Sequence, residues 1–359
     1  MNGFNAQPTH FIALIHLMLL TVVIPTYNRN QPLLATLERL LPQLEREAAR
    51  VRLLVIDNAS PTPAEETLAP LLARFPEAQV EVRRNRANIG ANANILRCFE
   101  LCETPYLWTL GDDDQVKPDA LDTIFAHIEA YPDCVFFNFG VEHAFPRSKT
   151  TTTRGALDFV RGIDFFGNAI FISTNVYRND ALLPSLKFAH HYTYSAAPQF
   201  VMVLQSLGTE GECCLTHTPI VSWSEVEGEQ QWSRVVLALG VRTLLEMPLD
   251  PRVRAALAQR LTHFDDTFLP VGQLLLQLLL VARTSHDRRG PLYLWDQLCH
   301  RRHNAAFYGD SRPKRRLEAW EGHLILRFPH LGLALMKLNN RLKKYPPLPS
   351  DPQSFSGRL

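Results

Sequence analysis

The run LTVVIPTYN, residues 20–28, is apolar apart from Thr21 until it stops in turn residues. A strand buried on both faces reads this way, without the alternation of a half-exposed one. VRLLVIDNAS (51–60) repeats the pattern, VEVRRN (80–85) is a third strand, YLWTL (106–110) a fourth and CVFFNFG (134–140) a fifth. Between them the apolar residues take helical spacing: QPLLATLERLLPQLE (31–45), with Pro32 near its start, PAEETLAPLLARF (63–75), with acids in its first turn, ANANILRCFELC (91–102) and PDALDTIFAHIEAY (118–131). Regular alternation of strand and helix predicts an α/β fold, a mainly parallel sheet covered by helices on both faces.

Open α/β sheets bind ligands at the carboxyl ends of their strands. Four successive ends here are polar: Thr26, Tyr27, Asn28 and Arg29; Asp57 and Asn58; Asn85 and Arg86; and Asp112 to Asp114 within TLGDDDQVKP (109–118). Adjacent aspartates repel one another and suit neither a strand nor a helix interior. A solvated acidic loop would account for one such end. Four in one layer point to a site. Carboxylates there can hold Mg²⁺ or Mn²⁺, hard cations that need one or two protein carboxylates beside waters and phosphate oxygens. An acid one strand over, Asp57, could accept from a base N–H or a ribose hydroxyl.

The rest of the chain is less regular. Residues 141–160, with SKTTTTRG, read as a mobile loop. AIFISTNVYRND (169–180) reads as strand and turn, APQFVMVLQSLG (197–208) as a helix and CCLTHTPIVSWSE (213–225) as a strand. From about 230 the signals are helical, with LLLQLLLVA (274–282) apolar but too short to span a membrane. The N-terminal run HFIALIHLMLLTVVIP is interrupted by His16 and Thr21 and lacks the basic start of a secretory signal, so residues 1–17 read as a poorly ordered extension.

The chain has 359 residues, 46% of them hydrophobic and 20% charged, with a net charge of +1. That size holds one large or two moderate domains, and that charge gives no electrostatic case for nucleic acid. The six Cys form no CxxC pair, as expected of reduced thiols in the cytoplasm. Cys98 and Cys102 stand at helical spacing and read as packing. RPKRR (312–316) and RLKK (341–344), beside apolar helical segments, could meet an anionic membrane surface or simply be solvated.

In order and spacing, VVIPTYNR, VIDNAS, NRANIGANAN and WTLGDDDQVKP resemble the family 2 glycosyltransferases, which have the GT-A fold. The resemblance covers about residues 19–225. It implies a GT-A domain over 18–227, a nucleotide-binding half (18–140) followed by an acceptor half (141–227); the helical spacing beyond it gives a helical region (228–345) and the composition a Pro-rich tail (346–359). It further implies an inverting transfer from a nucleotide-diphosphate sugar to a hydroxyl of a glycan or lipid-linked acceptor, in surface polysaccharide synthesis. Pro25, Thr26, Tyr27 and Arg29 match the segment lining the nucleotide, Asp57 the acid on the base, and Asn85, Asn88 and Gly90 the turn shaping the pocket. Asp113 matches the metal ligand, with Asp112 as its ribose- or metal-side partner and Asp114 in the ligand set or behind it.

The pattern departs downstream. Inverting members supply a carboxylate base after the acceptor loop, where this chain has KFAHHYTYSAAPQF (187–200) and no acid. The base candidates are therefore His190, His191, Asp164, Glu225 and Glu227; an imidazole titrates where proton abstraction at neutral pH needs it. Arg83 and Arg84 read as solvated strand residues, Trp108 as core, and Trp223 as core or a sugar-stacking group. Two other classes remain open, a nucleotidyltransferase and a non-catalytic nucleotide-sugar binder. No glycine follows the first strand in PTYNRNQ, which argues against the first and against a dinucleotide-binding loop.

Overall fold

The computed structural model describes residues 18–142, 147–222, 234–268, 271–284, 289–305, 312–328 and 330–334. They fall into two compact units divided after Ser224, with Tyr194–Ala197 assigned to the second. The readings for residues 1–17, Trp223, Glu225, Glu227 and the tail lie outside the described residues.

In the first unit β1 (Leu20–Thr26), α1 (Asn30–Arg46), β2 (Val51–Asp57), α2 (Ala64–Leu72), β3 (Val80–Arg84), α3 (Ala91–Leu101), β4 (Tyr106–Thr109), β5 (Gln115–Val116), α4 (Ala120–Ala130) and β6 (Cys134–Glu142) follow one another. The remainder is β7 (Thr151–Arg154), α5 (Gly155–Gly162), α6 (Phe166–Ile170), β8 (Asn175–Arg178), α7 (Asn179–Leu182), α8 (Leu186–His191), α9 (Pro198–Leu207) and β9 (Glu212–Ser222). One sheet runs β3-β2-β1-β4-β8-β6-β9-β5, with β7 on β9. Strands β3, β2, β1 and β4 are mutually parallel, and β8 enters antiparallel between β4 and β6.

Alternation along the buried strands assigns their two faces. Leu20, Val22 and Ile24 of β1, with Leu53 and Val55 of β2, pack under Leu33, Leu37 and Leu40 of α1, Leu68 of α2 and Leu121 and Ile124 of α4. The opposite face is aromatic: Phe99 of α3 meets Tyr177, which meets Phe136, and Phe159 joins Phe136 to Phe200 of α9. At about 25 cal/mol per Å² of apolar area removed from water, these two layers are the main stabilising term of the unit.

Two expectations are corrected. Residues 151–154 are not mobile loop but an edge strand, antiparallel to β9 from Thr151↔Leu215 to Arg154↔Glu212. A run of threonines is β-branched and fits a pleated surface, so the polarity that suggested a loop marks the solvent side of a strand. Within 169–180 only Asn175–Arg178 is strand; Phe166–Ile170 is helical.

The second unit is helical: α10 (Arg234–Gly240), α11 (Pro251–Phe268), α12 (Val271–Thr284), α13 (Arg289–Ala305) and α14 (Arg312–Arg327). Among the described residues no helix is long and apolar enough to cross a membrane.

Candidate active site

Strand β1 pairs with β2 on one side and β4 on the other. Chain order reverses there, and open α/β sheets bind their ligands at the carboxyl end of such a switch point. Thr26, the last residue of β1, lies opposite Asp57 in the ladder. Its hydroxyl donates to Asp112 Oδ2 at 2.7 Å and its carbonyl accepts from Asn58 N at 2.9 Å. One residue thus joins the loops after three strands. Asn28 turns the chain with φ 56°, and its amide donates to Ser60 Oγ.

Arg29 closes the acidic side. One guanidinium nitrogen donates to Asp112 Oδ1 at 2.9 Å and the other to Asp113 Oδ2 at 2.6 Å. Asp112 is 6% exposed, and burial pushes its carboxyl up to about 6 against the pull of Arg29 and Thr26. Asp114, expected beside Asp113 as a ligand, turns the other way: its Oδ2 accepts from Ser173 Oγ, and burial raises it to about 7. Ser173 Oγ also accepts from Gly111 N at 2.8 Å, and Thr36 Oγ1 donates to the carbonyls of Asp112 and Asp114. Behind the triplet stands a cage that presents the Asp113 side chain, 31% exposed, outward.

Asp57, expected to accept from a base, is 1% exposed. Its Oδ1 accepts from Ser60 N; its Oδ2 accepts from Ala64 N at 3.2 Å and from an Arg84 guanidinium nitrogen at 2.8 Å. Burial alone would raise this carboxyl, but those donors hold it below the usual aspartate range. The structure places Asp57 as the organiser of the 57–64 turn and of Arg84. Arg84 is thus not the plain solvated strand residue expected, and Arg83 pairs with Glu81.

The third strand end is an amide network. Asn85 Nδ2 donates to Asn58 Oδ1 and Asn94 Oδ1; Asn58 Nδ2 donates to Asn88 Oδ1; and the amides of Ile89 and Gly90 donate to Asn58 Oδ1 and Asn88 Oδ1. Gly90 sits at φ 84°, which a side chain would strain, and passes directly into α3. Asn85, Asn88, Gly90, Thr26, Arg29, Asp112 and Asp113 therefore belong to one connected edge, with Pro25 in β1 beside them. Tyr27 and Ile89 are 44% and 43% exposed there.

The base candidates divide. His190 and His191 end α8, both exposed, and the turn after them is tied to the start of α3 by Asn92 Nδ2 donating to Thr193 O at 2.6 Å. This brings the histidine segment to the helix that issues from the amide network. Asp164 instead pairs with Arg147 at 3.0 Å, whose other nitrogens donate to Asn138 and to Thr216 O. That arginine ties β6 to β9, and burial lowers it.

Asn58, Asn94 and Arg84, within or beside the quoted motifs, complete the site, and so does Ser173, which carries no sequence signal of its own. Ser173 reaches Asp114 across 59 residues of chain. No group of three or more His, Cys, Asp or Glu forms a closed metal cage among the described residues. A cation that keeps its waters needs less, and the Asp113 carboxylate at a strand end, with Asp112 beside it, fits that requirement. A cavity of about 180 Å³ in the second unit, lined by Arg242, Glu246, Arg254 and Arg301, contains none of these residues. Its Arg254 and Arg301 donate to backbone carbonyls of the same unit.

Residues 21–186 match the family model described as Glycosyl transferase family 2. S. aureus TarS 1–349 in complex with UDP-GlcNAc has the same fold, with TM-score 0.62 at 12% identity over 91% of this chain and 93% of that one. Its complex with UDP gives 0.60 at 12% over 86% and 90%. The uncharacterized protein MT1568 of Mycobacterium tuberculosis is 30% identical over 112 residues, 31% of this chain and 33% of the relative. The chain thus spans about a third of that curated relative.

Proposed function

We propose, from the premise that this chain is a glycosyltransferase whose residues 21–186 form a family 2 domain of GT-A fold, that it moves a sugar from a nucleotide-diphosphate donor to an acceptor hydroxyl with inversion. The acceptor is a glycan or a lipid-linked glycan, in surface polysaccharide synthesis. The observation that carries the reading is the hydrogen-bonded chain Asp113–Arg29–Asp112–Thr26–Asn58–Asn85, which joins the ends of four parallel strands into one edge.

The nucleoside lies over the Thr26–Asn58–Asn85 side, with Tyr27 and Ile89 as its exposed apolar cover. The diphosphate lies over Arg29. Asp113, with Asp112, would hold Mn²⁺ or Mg²⁺, and the cation would supply charge to offset that of the departing diphosphate. The acceptor oxygen attacks the anomeric carbon from the face opposite the diphosphate. The new C–O bond forms as the bond to the diphosphate breaks, its electron pair leaves with the nucleoside diphosphate, and the hydroxyl proton passes to His190 or His191. Nucleotide-sugar donors and free thiols, all six Cys being unbridged, support a reaction on the cytoplasmic side.

The test is incubation of the full chain with a panel of nucleotide sugars and Mn²⁺, starting from UDP-GlcNAc because similar TarS binds it. Release of nucleoside diphosphate with sugar transfer supports the reading. Binding without turnover, or release of pyrophosphate, refutes it.

A further inference from the structure

Helix α14 is apolar on two opposite faces. One packs inside its own unit: Gly322 lies against the Trp295 indole, Leu326 is buried, and Trp295 Nε1 donates to Ala319 O at 3.1 Å. The other carries Leu317, Trp320 and Leu324, 57%, 65% and 51% exposed, and continues through Phe328 and Leu331 at 52% and 60%. Steps of three and four residues set Leu317, Trp320, Leu324 and Phe328 in one line along the helix. A single exposed leucine is ordinary, whereas a row of five large apolar side chains marks a surface that something covers.

The flanks say what covers it. Exposed Lys314, Arg316 and Arg327 stand on the same helix with one exposed acid, Glu321. A second copy of the chain would set these cations against their own kind. An anionic lipid surface meets both requirements: phosphates for the basic flank, and a headgroup–acyl boundary where Trp and Phe rest favourably.

We propose that α14, with Phe328 and Leu331 beyond its end, lies flat on an anionic membrane surface, with the Leu317–Trp320–Leu324–Phe328 line inserted at the boundary. The proposal is independent of the donor, the cation and the reaction. It sets the chain on the surface where a lipid-linked acceptor would reside.

The full chain is sedimented with vesicles of phosphatidylcholine alone or mixed with phosphatidylglycerol. Wild type binds the mixed vesicles, and less at high salt. A Trp320→Ser, Leu324→Ser, Phe328→Ser variant and an Arg316→Glu, Arg327→Glu variant each bind about tenfold more weakly or worse, with unchanged melting temperature. The charge variant removes no packed side chain, so it decides alone if the apolar variant does not fold. Wild type failing to bind mixed vesicles, or both variants binding equally well, overturns the proposal. So does a wild-type dimer that the apolar substitutions convert to monomer while vesicle binding persists.

Discussion

The hydroxyl of Thr26 donates to Asp112 Oδ2 at 2.7 Å across 86 residues of sequence. Thr26 also faces Asp57 in the β1–β2 ladder. This single residue sets the distance between the acidic loop and the amide network, so it is the first to test. Thr26→Val keeps the shape and removes the donor, leaving a buried carboxylate oxygen short of a partner at a cost of about 1–3 kcal/mol. The expected result is a lowered urea midpoint together with weakened nucleoside-diphosphate binding by calorimetry.

Arg29 forks onto Asp112 and Asp113. Arg29→Lys keeps the charge but cannot reach both carboxylates as a planar fork. Arg29→Ala leaves Asp112 buried without its cation and is expected to lose about 3–5 kcal/mol of stability. The lysine variant should unfold later than the alanine variant yet share its loss of diphosphate binding, which thermal unfolding with and without a nucleoside diphosphate separates.

Asp113 and Asp114 are neighbours whose side chains turn opposite ways, one exposed beside Arg29 and one buried on Ser173. Asp113→Asn should abolish Mn²⁺ binding, read by electron paramagnetic resonance, with little change in melting temperature. Asp114→Asn should act on stability, because its carboxyl accepts from Ser173 in a buried cage. Gly111→Ala should resemble it, since a methyl group there meets the Asp114 carboxyl and Ser173 Oγ.

Asp57 gives a pH test with a definite sign. Its folded value is below the ordinary 3.8. The ionised form therefore stabilises the fold above that ordinary value, and the contribution disappears as pH falls through the lower folded value. The difference in urea midpoint between wild type and Asp57→Asn should be largest near neutrality, hold to about pH 4, and shrink below it. A difference that grows on acidification would contradict the assignment.

Much of this was legible in sequence, and the physical reasons are local. Strands such as Leu20–Thr26 announce themselves because burial on both faces demands an unbroken apolar run. The polar residues at their ends are legible because parallel topology delivers strand ends to one edge. Thr151–Arg154 was misread because its alternation is of half-exposed threonines with no apolar member. Strand β5 has two residues, too few for any periodicity. The inward turn of Asp114 depends on Ser173, and the occupation of Asp57 depends on Arg84 and on the amides of Ser60 and Ala64. Such partners are chosen by packing, and spacing does not record them.

The most direct measurement of the central claim is a crystal structure of the full chain with a nucleoside diphosphate and Mn²⁺, using the anomalous signal of manganese. The account predicts one manganese peak at bonding distance from an Asp113 carboxylate oxygen and from the diphosphate, with the nucleoside between Tyr27 and the Asn58–Asn85 pair. A nucleotide bound elsewhere, or a manganese ion that ignores Asp113, would contradict it.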